Sequence, residues 1–165
     1  MSVKTLPSQT HIVEVRLKPE FADAEGAGAF TLLREQGLSA LREVRCGRLY
    51  ELTGPLTLNQ AQQAARDVLC DNVTQEHRLI SPTAVTFNGM NAWRVEVWLK
   101  SGVSDPVGQT AAVAIADAGY PGLSARCGTL YRVLGRAMKP QLERAVLRCL
   151  ANPLIHRVVV CEAHG

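Results

Sequence analysis

Two cysteines stand beside arginines in matching runs, Arg45-Cys46-Gly47 and Arg126-Cys127-Gly128, each followed two residues on by Leu-Tyr. A thiol next to a fixed cation is the arrangement that lowers a thiol pKa toward nucleophilic use. Adjacent residues of an extended strand point to opposite faces, however, so small core thiols are the better reading of both, with a thiol enzyme as the minor alternative. Cys149 falls on an apolar helical stripe and reads as core. The four histidines, His11, His77, His156 and His164, show neither i, i+4 pairing nor a cysteine at ligand spacing, so no zinc site is expected. Gly26-x-Gly28 precedes a helical pattern, but the third glycine of a dinucleotide fingerprint and the acidic residue beyond it are missing. No nucleophile with its base, paired carboxylates, metal set or phosphate loop emerges, and no catalytic residue is expected.

The rest of the composition bounds the class. The chain has 165 residues, 47% hydrophobic and 20% charged, which is ordinary globular usage. Its net charge of +3 is scattered, so no basic block calls for nucleic acid. Apolar runs such as Ala111 to Ala116 are far shorter than the roughly 20 residues of a spanning helix. The opening MSVKTLPSQT has no apolar run after Lys4, so no secretory signal is expected. Five cysteines without a C-x-x-C pair are expected to be reduced thiols of a cytoplasmic protein.

These residues must be positioned by elements that the chain writes twice. VEVRLKPEFADAEG from Val13 returns as VEVWLKSGVSDPVG from Val95, with seven of fourteen positions identical. Average usage gives about one match by chance. RCGRLY at Arg45 returns as RCGTLY at Arg126, at an offset shorter by a single position, so one deletion separates the copies between these two blocks. Ala61, Ala64, Ala65, Val68 and Leu69 then fall on Leu142, Ala145, Val146, Cys149 and Leu150, and one further deletion aligns Asn72 with Asn152. Copy one therefore runs from about His11 to Ser81 and copy two from about Ala92 to Ala163, joined by TAVTFNGMN. In domain terms this divides the chain into residues 1–85 and 86–165.

Each copy reads as strand, helix, strand, helix, strand. Val13, Val15 and Leu17 alternate with polar residues, as do Trp93, Val95, Val97 and Leu99. Trp98 sits on the otherwise polar side of that second strand, where it either covers a second layer or anchors a partner. Asp105 with Pro106 starts a helix whose apolar face is Val107, Ala111, Ile115 and Ala118. Asp23 starts its counterpart, with Phe30 and Leu33 on the apolar face and Gly37 as the stop. A second strand spans about Leu41 to Leu52 and Leu123 to Leu134, bending at Gly47 and Gly128. A second helix starts at Thr57, with Gln60 completing a capping box, and at Lys139. The last strand covers about Glu76 to Ile80 and Ile155 to Cys161, the latter Val-rich enough to be central in a sheet. The fold class is α+β: two β-α-β-α-β repeats packed as a pseudo-twofold pair, with helices on an antiparallel or mixed sheet.

In copy two, VEVWLKSGVSDPVGQT, RCGTLY and LANPLIH follow in an order and spacing that resembles the PurS family, the small subunit of phosphoribosylformylglycinamidine synthase. Its pattern is a V-x-V-x-L-K-x-G-V-x-D-P-x-G block, an R-x-G-K block and an L-A-N-x-x-I-E block. Copy one keeps Val13, Val15, Leu17, Lys18, Asp23 and Gly26, and matches the second block better, as Arg45, Gly47, Arg48, Glu51 and Leu52. Thr129 replaces the basic residue of the second block, His156 the acid of the third, and Pro19 and Glu20 the glycine turn of copy one. The resemblance implies a non-catalytic part in ATP- and glutamine-dependent amidation of formylglycinamide ribonucleotide, in purine biosynthesis. It implies bridging of a PurL-like synthetase, which uses the ATP and magnesium, and a PurQ-like glutaminase. A tandem chain looks like a PurS dimer fused into one protein, with further oligomers open. Candidate contact residues are Trp98, Arg45, Gly47, Arg126 and Gly128. A small-molecule regulatory module, with a metabolite between the copies, is the alternative.

Overall fold

Alternating side chains give Gln9–Leu17 (β1) and Ala92–Leu99 (β4) one apolar face each, Val13 and Val15 in the first and Trp93, Val95 and Val97 in the second, all buried. The computed structural model describes residues 6–80 and 91–162, so the expected connector, save its last residue, and His164 lie outside the described residues. After β1 come Ala24–Glu35 (α1), Leu41–Gly54 (β2), Leu58–Ala64 (α2) and Gln75–Ile80 (β3). After β4 come Pro106–Asp117 (α3), Ser124–Gly135 (β5), Lys139–Cys149 (α4) and His156–Glu162 (β6). The β-α-β-α-β order thus occurs twice, and the fold is α+β with an antiparallel sheet of strand order β3-β1-β2-β5-β4-β6.

Helix starts follow the sequence closely. Asp23 and Asp105 cap α1 and α3, accepting hydrogen bonds from Gly26 N and Gly108 N. Thr57 and Gln60 make both bonds of a capping box at α2. Four expectations are corrected. Strand β6 lies at an edge and, among the described residues, pairs only with β4; Val158 and Val160 pack into one core, while Val159 between them points to the other face. Val107 of α3 is exposed, since the helix presents Gly108, Ala111 and Ile115 inward. Helix α2 continues as a π-helical turn, Ala65–Leu69, where copy two stays α-helical to Cys149. The deletion at Asn72 is not needed, because Asp71 and Asn152, which keep the offset between Arg45 and Arg126, make the same turn.

The chain folds as two compact units. The first is built from the described residues of Met1–Lys18, Arg48–Pro82 and Ser104–Cys127; the second from those of Pro19–Gly47, Thr83–Val103 and Gly128–Gly165. In the first, Ile115 of α3 is buried in one cluster with Val13, Val15, Leu52, Leu56, Ala64 and Ala65. In the second, Ala29 and Leu33 of α1 share a cluster with Val95, Val97, Val133, Leu142, Val146 and Val160. Each core therefore joins the strands and second helix of one copy to the first helix of the other. The division of the sequence into 1–85 and 86–165 describes the stretches that repeat, and the compact units cross it.

Candidate functional site

The residues common to both copies converge on one construction, made once in each unit. In the second unit Asp23 Oδ1 accepts from Gly26 N at 2.9 Å while Oδ2 accepts from Cys46 N at 2.6 Å, so one carboxylate caps α1 and ties it to β2. In the first, Asp105 accepts from Gly108 N and Cys127 N, both at 2.8 Å, and ties α3 to β5. The glycine of each pair is required by the close approach: a Cβ at Gly26 would meet Val44 O at 2.4 Å, and one at Gly108 would meet Ala125 O at 2.5 Å. The D-x-x-G spacing and the downstream cysteine are thus the parts of a helix-to-strand clamp.

The thiols do not have the setting that activation needs. Burial, and then the Asp105 carboxylate, push Cys127 up to about 11, against the opposing pull of Arg48. Cys46 donates its S–H to Glu25 Oε2 at 3.2 Å, so its polar neighbour is an anion. The Arg45 guanidinium is turned to Phe21 O at 3.3 Å and lies 3.8 Å from Asp23. Burial is also the leading cause that raises Cys70, Cys149 and Cys161.

Trp98 is buried, 4% exposed, and its ring occupies the place over Gly128, its partner across the β4–β5 ladder. Of the two readings left open for it, covering a layer or anchoring a partner, this burial favours the first, since an indole already covered within the chain offers little area to a partner. Gly47 and Gly128 are buried as well, and Arg45 and Arg126 half-buried.

Two features were not anticipated. Glu14 is 1% exposed on the side of β1 read as wet, where Arg78 donates to it at 3.2 Å and Arg16, itself bonded to Glu76, lies 3.6 Å away. Alternation alone assigns such a residue to solvent; the signal was one arginine on each strand, Arg16 two residues along β1 and Arg78 opposite Glu14 in the β1–β3 register. The second concerns the turns before β3 and β6. In the first, Asp71 Oδ1 accepts from Val73 N, Asp71 N donates to Gln75 Oε1, and Lys18 Nζ holds Asn72 O at 2.8 Å. In the second, Asn152 Oδ1 accepts from Leu154 N, Asn152 N donates to His156 Nδ1, and Lys100 Nζ holds Pro153 O at 2.7 Å. Lys18 and Lys100 are therefore turn braces, and His156 does for its turn what Gln75 does for the other.

Among the described residues no three His, Cys, Asp or Glu side chains gather to hold a metal ion, and no helix is long and apolar enough to cross a membrane. The first unit carries an open groove of about 380 Å³ lined by Tyr50, Val68, Leu69 and Val107.

Residues 92–162 match the family PurS, phosphoribosylformylglycinamidine (FGAM) synthase. This segment is a PurS-like domain. A search of the curated proteins gave no match.

Proposed function

We propose that this chain is a non-catalytic assembly subunit of FGAM synthase, a PurS pair in tandem that bridges a PurL-like synthetase and a PurQ-like glutaminase in the cytoplasm. The observation that carries the reading is the PurS match over residues 92–162. It is supported by what the family-like residues do here: Asp105, Gly108 and Lys100 clamp a helix and brace a turn, which are tasks of a scaffold. ATP and magnesium are used by the synthetase, and this chain binds neither.

Such a subunit has a physical task. Ammonia released into water at neutral pH is mostly protonated and no longer a nucleophile, so a water-excluding contact between glutaminase and synthetase preserves its reactivity. Arg45 and Arg126, half-buried beside the two clamps, remain candidates for the contact. The test is reconstitution: alone the chain hydrolyses neither ATP nor glutamine, and with both enzymes it raises the amidine formed per glutamine consumed. Equal coupling with and without it, or binding to neither enzyme, would overturn the reading.

A further inference from the structure

Within the first unit, α2 with its π-helical turn and the edge strand β3 flank an open groove of about 500 Å³, the size of a small-molecule site. Asn59, Gln62, Gln63 and Arg66 enter it from the helical side at i, i+3, i+4 and i+7, and His77 and Arg78 from the strand. Of the described residues that line it, only Leu79 is apolar and none is acidic.

Several of these groups are held in place by neighbours. Tyr120 donates its O–H to Gln63 Oε1 at 2.7 Å, which commits the oxygen and leaves the NH2 as the donor end of that amide. Asn72 Nδ2 donates to Arg66 O at 2.8 Å and steadies the π-helical turn that carries Arg66. Arg78 gives the buried Glu14 one N–H at 3.2 Å, and Arg66 gives Asp67 two, at 2.9 and 3.3 Å. A guanidinium has about five N–H donors, so among the described residues each keeps most of them. His77, Asn59 and Gln62 make no side-chain hydrogen bond to another described residue. The groove thus has a surplus of donors, and the ligand that matches it is an anion rich in acceptor oxygens. A carboxylate can be satisfied by one guanidinium, whereas a phosphomonoester has three terminal oxygens for Arg66, His77 and Arg78.

The second copy serves as an internal comparison. At the offset that relates Arg45 to Arg126, the six polar residues become Pro140, Glu143, Arg144, Leu147, Val158 and Val159, so one cation remains and an acid stands beside it. The π-helical turn is likewise confined to copy one; such turns are frequent at functional sites. We infer that this groove binds a small sugar phosphate, with Arg66, His77 and Arg78 on the phosphate and Asn59, Gln62 and Gln63 on the hydroxyls. The inference is independent of the assembly role and gives the chain a ligand of its own.

The test titrates the full chain with ribose 5-phosphate, followed by amide NMR shifts, for wild type, Arg66→Gln, His77→Gln and the control Arg144→Gln, which alters the exposed cation of copy two. Melts of the variants establish that each is folded. The expected result is a Kd of about 1 mM or tighter, with shifts centred on Gln62, Gln63, Arg66 and His77. Arg66→Gln and His77→Gln should each weaken binding about fivefold or more, and Arg144→Gln should leave it unchanged. Ribose and malonate should bind at least about tenfold more weakly than the phosphate ester. Absence of shifts at about 10 mM, shifts centred elsewhere, or undiminished binding by folded Arg66→Gln and His77→Gln would overturn the site. Equal binding of ribose or malonate would overturn the phosphate assignment, and an equal loss in Arg144→Gln would reduce the effect to net charge.

Discussion

The ring of Trp98 lies so close to Gly128 that a Cβ on the glycine would stand 2.7 Å from Cε3 and 2.8 Å from Cδ2. The ring is buried and cannot swing into solvent without opening the β4–β5 ladder, so Gly128→Ala is an overpacking substitution. We expect it to cost about 1–3 kcal/mol. Urea or thermal melts of Gly128→Ala, Trp98→Leu and the double variant check this, with the double variant recovering part of the loss. Additive losses would show that ring and glycine do not interact.

Asp105 accepts two backbone N–H groups with two different oxygens, and both donors need it. In Asp105→Asn the NH2 replaces one acceptor oxygen and faces a backbone donor, so either the cap or the tie to Cys127 is lost. A destabilisation of about 1–3 kcal/mol is expected, with Asp105→Ser cheaper at the cap but too short for the strand. Asp23 should behave alike in the other unit, through Gly26 and Cys46. Hydrogen exchange at the Cys127 amide reads the lost tie directly; an amide as protected as in wild type would count against the clamp.

What the sequence disclosed and withheld has a physical pattern. Residue types that act on their own neighbours were legible: Asp23, Asp105 and the Thr57–Gln60 box cap the helices they precede. Alternation likewise located the strands and their apolar faces. Periodicity says which face is apolar and not what covers it. Hence the Val-rich β6 read as central although it is an edge strand, and Trp98 left two readings open until Gly128 was seen beneath it. The placement of α1 and α3 in cores with the other copy's strands was hidden for the same reason, since Leu33 and Ile115 fit either apolar sheet face. The clamp was half legible: the caps were read, but not that Cys46 N and Cys127 N, each on the strand after the helix, share the same carboxylates.

Cys127 makes the chemistry of the thiols testable. An ordinary thiol here takes the value 9.0, whereas burial and Asp105 hold this one near 11, leaving about a hundredfold less thiolate at pH 8. Alkylation of folded protein should be correspondingly slow at Cys127, and rapid once urea unfolds it. The sign for stability follows from linkage. The folded form holds the proton more tightly, so the contribution of this group is complete below about pH 9 and is lost as the pH rises toward 11. Tyr50, Cys70, Cys149 and Cys161 are raised as well, so denaturant midpoints should fall in alkali. In Cys127→Ala that fall should be shallower; an unchanged slope would mean that the thiol is not held protonated by the fold.

The exchange of first helices makes the sharpest demand on the whole chain. Residues 1–85 alone contain Ala29, Leu33, Leu41 and Val44 but not Val95, Val97, Val133 or Leu142, with which they are buried. Residues 86–165 alone contain Ile115 but not Val13, Val15, Leu52 or Ala64. Leaving such faces in water forfeits about 25 cal/mol for every Å² of apolar surface, more than a fragment of this size can spare. Neither fragment should melt cooperatively as a monomer. Two copies of one fragment can exchange helices with each other, so any folding seen should be dimeric, with a melting temperature that rises with concentration. Mixing the two fragments should restore a folded pair. Sedimentation and melts across a hundredfold range of concentration, about 1 to 100 μM, would decide it: a monomeric fragment with a concentration-independent cooperative melt would mean that each copy completes its own core, contrary to the clusters around Leu33 and Ile115.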